Sequence, residues 1–115
     1  MRRGEIRLVD LDPARASEAN KLRPAVLVSN DRANAAAARS GRGVVTVVPV
    51  TSNVSRVYPF QVLIPEAAAG LRAESKAQAE QARAVSVDRL GPALGRLSAE
   101  LMAQLDTALR LHLDL

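Results

Sequence analysis

The sequence predicts an α+β protein built on a largely antiparallel sheet. Short apolar runs recur through the first two thirds of the chain, Pro, Gly, Asn and Asp punctuate them, and the C-terminal stretch shows apolar residues at helical spacing. Strands in series, with helical segments at intervals and at the end, read as this class rather than as alternating β-α units. At 115 residues the chain is expected to form one domain, 1–115, with a single core of modest size.

The elements follow in order. "EIRLVDL" sets Ile6, Leu8 and Asp10 against Arg7, Val9 and Leu11, a first strand. "DPARASEANKLRP" is polar, proline-bounded and aperiodic, and reads as a long mobile loop of the kind that carries function. "AVLVS" is the second strand, with Pro24 at its first position because proline has no donor for a ladder. In "NDRANAAAARSGRG", Asn30 is a candidate N-cap, the alanine run a helix interior and Gly41 a stop. "VVTVVPV" is the third strand, buried on both faces by its continuous apolar character, with Pro49 marking an edge or a bulge.

"PFQVLI" is the fourth strand, where Phe60, Val62 and Ile64 alternate with Gln61 and Leu63, and "PEAAAG" reads as about one turn of helix. "ESKAQAEQARAVSV" is rich in helix formers and local propensity predicts a helix, although Ser75 to Ala79 also alternates polar with small residues. "LSAELMAQLDTALRLHL" places Ser98 as N-cap and Leu101, Leu105, Ala108 and Leu109 on one face, an amphipathic helix docked on the sheet.

Composition narrows the function classes. Aromatics are limited to Tyr58 and Phe60, so Val, Leu, Ile and Ala must fill the core. With no cysteine there is neither a disulfide framework nor a thiolate metal site, and a reducing cytoplasm is the expected compartment. One histidine, His112, argues against a transition-metal centre and rules out a Ser/His/Asp set built around any other imidazole; in the last turn of the final helix it reads as a dipole partner. No apolar stretch approaches the roughly 20 residues that span a bilayer, and "MRRGEIRLVD" lacks the apolar core of a signal peptide. The formal charge of +4 biases encounters towards polyanions, nucleic acid among them.

No phosphate-binding glycine loop or metalloprotease motif is present. What remains is the loop with Ser17, Glu18, Asn20 and Lys21, then Arg23, and the strand end Thr51-Ser52. These groups suit a phosphate: arginine presents a planar fork of donors, and hydroxyls and amides at strand ends complete a cage. Each also has a plainer reading, with Arg23 paired to an acid, Thr51 ending a strand and Glu18 solvated.

The runs "RGEI" with "DLDP", then "SE" and "RPAVLVSN", "VVPVTS" and "YPFQV", and finally "EQAR" and "DRL", resemble the MazF/PemK toxins of bacterial toxin-antitoxin pairs over nearly the whole chain. The resemblance implies a small SH3-like antiparallel β-barrel with short helices and a C-terminal amphipathic helix. It implies a homodimeric, cofactor-free and metal-independent endoribonuclease that cuts single-stranded RNA and is silenced by a cognate antitoxin. It also implies that "ESKAQAEQARAVSV" is largely strand, against the local propensity. Carried over by position, the family's catalytic arginine falls on Arg23, its threonine on Thr51 and its loop acid on Glu18. Ser17, Asn20, Lys21, Ser52, Arg56, Glu80, Gln81 and Arg83 are the expected RNA-contacting set, and Glu80 is a second candidate base. Two departures stand out: Arg7 where the family commonly has tryptophan, and Ala16 where it has glycine. Two rival readings are a catalytically weakened relative that keeps the antitoxin-binding fold and a CcdB-like gyrase-binding toxin.

Overall fold

A computed structural model of the chain describes residues 1–12, 15–17 and 22–115. Its strands are β1 (Glu5–Asp10), β2 (Leu22–Leu27), β3 (Val44–Thr51), β4 (Gln61–Ile64), β5 (Ser75–Gln78), β6 (Arg83–Ser86) and β7 (Leu90–Arg96), with helices α1 (Asp31–Ser40) and α2 (Ala99–Leu113). Short 3-10 turns occupy Ala68–Gly70, Ala79–Gln81 and Val87–Arg89. Among the described residues the strands form one antiparallel sheet in the order β4-β5-β3-β2-β1-β7, with β6 also on β3. The α+β expectation with its antiparallel sheet and terminal helix holds at that level.

The sheet buries both faces in its centre, as the continuous apolar runs require. Ile6, Val26, Val48, Val62 and Ile64 face α2 and meet Leu105 and Ala108. The alternate residues Val9, Leu27, Val45, Val47 and Val85 form a second cluster that includes Ala37 of α1. Both helix ends are built as the sequence suggests. The Asn30 side chain accepts from the Ala33 amide at 2.8 Å, Gly41 closes α1 at φ +67, and the Ser98 hydroxyl accepts from the Leu101 amide at 3.1 Å.

Four local readings need correction. Pro49 is on neither an edge nor a bulge: β3 is central, and Pro49 lies where β3 changes partner, its first half pairing with β6 through Val47 and its end with β5 from Val50. A missing donor costs no ladder bond at such a gap. Pro24 does not begin β2, which starts at Leu22; it faces Leu8 of β1, in a stretch where no pairing with β3 has begun. The expected helix at 74–87 is instead β5, a turn and β6, as the family resemblance implied. Ala77 and Val85 are buried against β3 and its neighbours, and this packing outweighs a propensity of tenths of a kcal/mol per residue. "PEAAAG" forms a 3-10 turn with Ala67 at φ +68 and Ala69 at φ +58, not a proline-initiated helical turn.

That turn joins the two ends of the strand order. Ala69 and Gly70 lie against Leu94 and Gly95 of β7 so closely that a Cβ on Gly70 would stand 2.0 Å from the Leu94 carbonyl oxygen. The connection leaving β4 thus touches the far edge strand, with no β4–β7 ladder among the described residues.

Candidate active site

Arg23 stands on β2 opposite Val9 of β1, and Thr51 ends β3 opposite Lys76 of β5. The β2–β3 register pairs Ala25 with Pro49. Arg23 and Thr51 each lie two residues beyond that last pair, where the two strands no longer form a ladder. The two half-buried residues line a common cavity of about 230 Å³ with Asn53, Lys76 and Gln78, to which Ser17 and Gln81 also contribute. They also line a longer groove of about 630 Å³, which takes in Ser52 and continues past Leu8, Pro24, Leu71 and Arg72. A third cavity, of about 520 Å³, shares Ser17 and Gln81 and adds Glu80 and Arg83.

Hydrogen bonds explain how these side chains are held. The Thr51 hydroxyl accepts from the Asn53 amide at 3.2 Å, which turns the chain sharply after β3 and keeps Asn53 beside it. Gln81 donates through Nε2 to the Ser17 carbonyl at 3.0 Å, and Arg83 donates to the Leu11 carbonyl at 3.3 Å. Arg89 donates to the carbonyls of Asp10 and Asp12. Side chains from beyond β5 therefore hold the carbonyls of Asp10, Leu11, Asp12 and Ser17, the last of which lines the Arg23–Thr51 cavity.

The expected site residues separate on this geometry. Arg23, Thr51, Ser52, Ser17 and Gln81 come together, and Glu80 and Arg83 line the adjoining cavity. One Glu80 oxygen accepts from Gln61 Nε2 at 2.7 Å, while the other is buried without a partner. Arg56 lines none of the three cavities; its guanidinium lies over the Tyr58 ring, 5.2 Å from the centroid. Glu18, Asn20 and Lys21 fall outside the described residues. Among the described residues no group of three His, Cys, Asp or Glu could hold a metal ion.

Sequence reasoning missed Asn53, Lys76, Gln78 and Arg72. Lys76 and Gln78 were hidden in a segment with helical composition, and only its pairing as β5 brings Lys76 opposite Thr51. Both departures from the family pattern have visible consequences. Arg7 pairs with Glu5 at 2.9 Å and donates to the Gly91 carbonyl at 3.0 Å, tying β1 to β7 and lining none of the three cavities. Ala16 takes φ +50, a left-handed conformation that accounts for glycine being usual there.

Fold and site define a small antiparallel-sheet protein whose groove gathers cations, hydroxyls and amides from neighbouring strand ends. The chain belongs to the PemK-like, MazF-like toxins of type II toxin-antitoxin systems, whose family model matches residues 2–113. It is 66% identical over 115 residues to Endoribonuclease MazF9 of Mycobacterium tuberculosis (strain ATCC 25618 / H37Rv), an alignment covering 100% of this chain and 98% of that protein. Among solved structures, MazF from Deinococcus radiodurans superposes with a TM-score of 0.81 at 23% identity, over 100% of this chain and 97% of that one. An endoribonuclease from a mycobacterial species, solved in complex with its cognate antitoxin, superposes with a TM-score of 0.78 at 24% identity, over 100% of this chain and 96% of that one. The two superpositions establish the fold.

Proposed function

We propose that this chain, an endoribonuclease of the MazF toxin family, cuts single-stranded RNA in the groove shared by Arg23 and Thr51. The 2′-hydroxyl of one nucleotide loses its proton to a base and attacks the adjacent phosphorus, the 5′-oxygen of the next leaves and takes up a proton from water, and the ends are a 2′,3′-cyclic phosphate and a 5′-hydroxyl. The observation that carries this reading is the cavity that Arg23 of β2 and Thr51 of β3 line together.

Negative charge grows on the phosphoryl oxygens as phosphorus becomes five-coordinate. A donor fork fixed on a strand is already oriented towards that charge, so it binds the transition state more tightly than the ground state. One such donor is worth about 10²–10³ in rate in comparable oxyanion sites. Arginine keeps its proton at any ordinary pH, so the proton of the attacking hydroxyl must go elsewhere. Glu80, one oxygen of which accepts from Gln61 while the other has no partner, and Glu18, carried over from the family pattern, are the two candidate bases. Ser17, Asn20, Lys21, Ser52, Arg56, Glu80, Gln81 and Arg83 complete the RNA-contacting set in this reading.

Selectivity for single strands follows, because bases must be unstacked to be read at their edges, and the 2′-hydroxyl requirement excludes DNA. The remaining family properties come with the same reading. They are one toxin domain over 1–115, an SH3-like barrel, a homodimer, independence of metal, action in the cytoplasm, and inhibition by a cognate antitoxin of the kind bound to the mycobacterial structural relative. The Arg7 departure gives no reason to read a weakened enzyme, since Arg7 lines none of the cavities.

The test is cleavage of a long mixed-sequence transcript in the presence of a chelator, with both new ends typed chemically. The reading predicts 5′ ends that ligate only after phosphorylation and 3′ ends that become extendable only after the cyclic phosphate is removed. Ends carrying 5′-phosphate, or cleavage that stops with chelator, would overturn it.

A further inference from the structure

We infer that Lys76 is a second phosphate-binding cation of the Arg23–Thr51 site, an inference that rests on the nuclease reading above. Lys76 is 8% exposed, an unusual state for a lysine, on a short strand. Its Cα stands opposite that of Thr51, and its side chain lines the same cavity of about 230 Å³ as Arg23 and Thr51. The ammonium donates to the Arg56 carbonyl at 2.6 Å, and it has no carboxylate partner among the described residues.

A lysine ammonium carries three donors, and that neutral carbonyl uses one. A buried cation with spare donors, held beside a second cation and a hydroxyl, is arranged for an anion. The cavity also contains Gln78, whose side-chain oxygen is buried without a hydrogen-bond partner. An acceptor left open beside two cations matches the other half of a ribose phosphate, whose 2′-hydroxyl is a donor. The occupant that satisfies all of these groups is one sugar-phosphate unit of the RNA chain, with its non-bridging oxygens between Arg23 and Lys76 and its ribose hydroxyl towards Gln78. The Arg56 carbonyl sets where the ammonium sits, and the lysine acts on the phosphate directly.

The discriminating experiment compares Lys76→Met, which keeps the stem and removes the charge, with Lys76→Arg, which keeps the charge. Cleavage of the mixed-sequence transcript is measured alongside binding of a fluorescent 2′-fluoro-substituted 20-nucleotide RNA pool, which lacks the nucleophile, across a salt series. Each phosphate contact on a single strand contributes about 0.7 to the slope of log affinity against log salt. Lys76→Met is expected to lose cleavage about tenfold or more and to lower that slope by about 0.7, while Lys76→Arg keeps the slope. A Met variant with an unchanged slope overturns the inference, whether its cleavage is intact or reduced through displacement of the Arg56 segment. An Arg23→Ala control separates the two readings: full activity there sinks the nuclease site itself, whereas loss there with an unchanged Met variant sinks only the role of Lys76. Circular dichroism of each variant confirms the fold, and a Met variant that does not fold is replaced by Lys76→Gln, judged by the same slope.

Discussion

Gly95→Ala probes the contact between the two ends of the strand order. Gly95 pairs with Ile6 in the β1–β7 ladder, and a Cβ built on it would stand 2.2 Å from the Ala69 carbonyl oxygen and 2.5 Å from its carbon. Ordinary contact lies near 3.5 Å, so the 68–70 turn and β7 would have to separate by about 1 Å. Both obstructing groups are backbone, and no side chain can swing aside. Overpacking of this kind costs about 1–3 kcal/mol, and rigid opposing backbone points to the upper end. For 115 residues the unfolding entropy is about 0.24 kcal/mol per kelvin, so the expected fall in Tm is about 8–12 °C. Thermal unfolding followed by circular dichroism at one fixed protein concentration is the assay, because association would shift the midpoint. The same displacement moves Gly70, Leu71 and Arg72, which wall the longer groove, and misplacement near 1 Å is expected to slow cleavage about tenfold or more. A Tm within about 3 °C of the parent would refute the contact as described.

Two further substitutions test local chemistry. Ala16→Gly relieves a left-handed conformation worth about 1–2 kcal/mol but returns about 0.4–1 kcal/mol of chain entropy to the unfolded state, so Tm should stay level or rise by up to about 7 °C; a fall of more than about 2 °C contradicts this. Asn34→Ala removes a fully buried amide that donates to the Ser29 carbonyl at 2.8 Å and accepts from the Ser29 hydroxyl, which itself accepts from the Thr46 amide. The expected loss is about 2–3 kcal/mol with little change in cleavage per folded molecule, and a Tm drop below about 4 °C would show that the network is replaceable.

The sequence made the strands β1 to β4 and both helices legible because their signals are local: period-two alternation, continuous apolar runs, and the caps Asn30, Gly41 and Ser98. It concealed β5 and β6, whose Ala, Gln, Glu and Lys favour helix in isolation and become strand only when β3 supplies partners on its exposed ladder. It concealed β7 as well, since "LGPALGR" has two glycines and a proline that read as turn chemistry, while the close approach of the Ala69–Gly70 turn is what requires Gly95. Pro24 and Pro49 misled for a related reason: whether a missing donor matters depends on where ladders begin and change partner, which no single strand records.

At the site, Arg23 and Thr51 were legible as chemical types, but the cavity they share forms only when β2 and β3 come together. Lys76 could not be found before its strand was. Arg56 was named by charge alone, and its guanidinium lies over the Tyr58 ring.

The most direct measurement is single-turnover cleavage by Arg23→Ala, made on protein shown by circular dichroism and sizing to retain the parent's fold and assembly. The account predicts that the rate falls by about 10²–10³ and that Arg23→Lys, which keeps the charge without the fork, recovers only part of it. A folded Arg23→Ala protein that cuts RNA within a few fold of the parent rate would contradict the account at its centre.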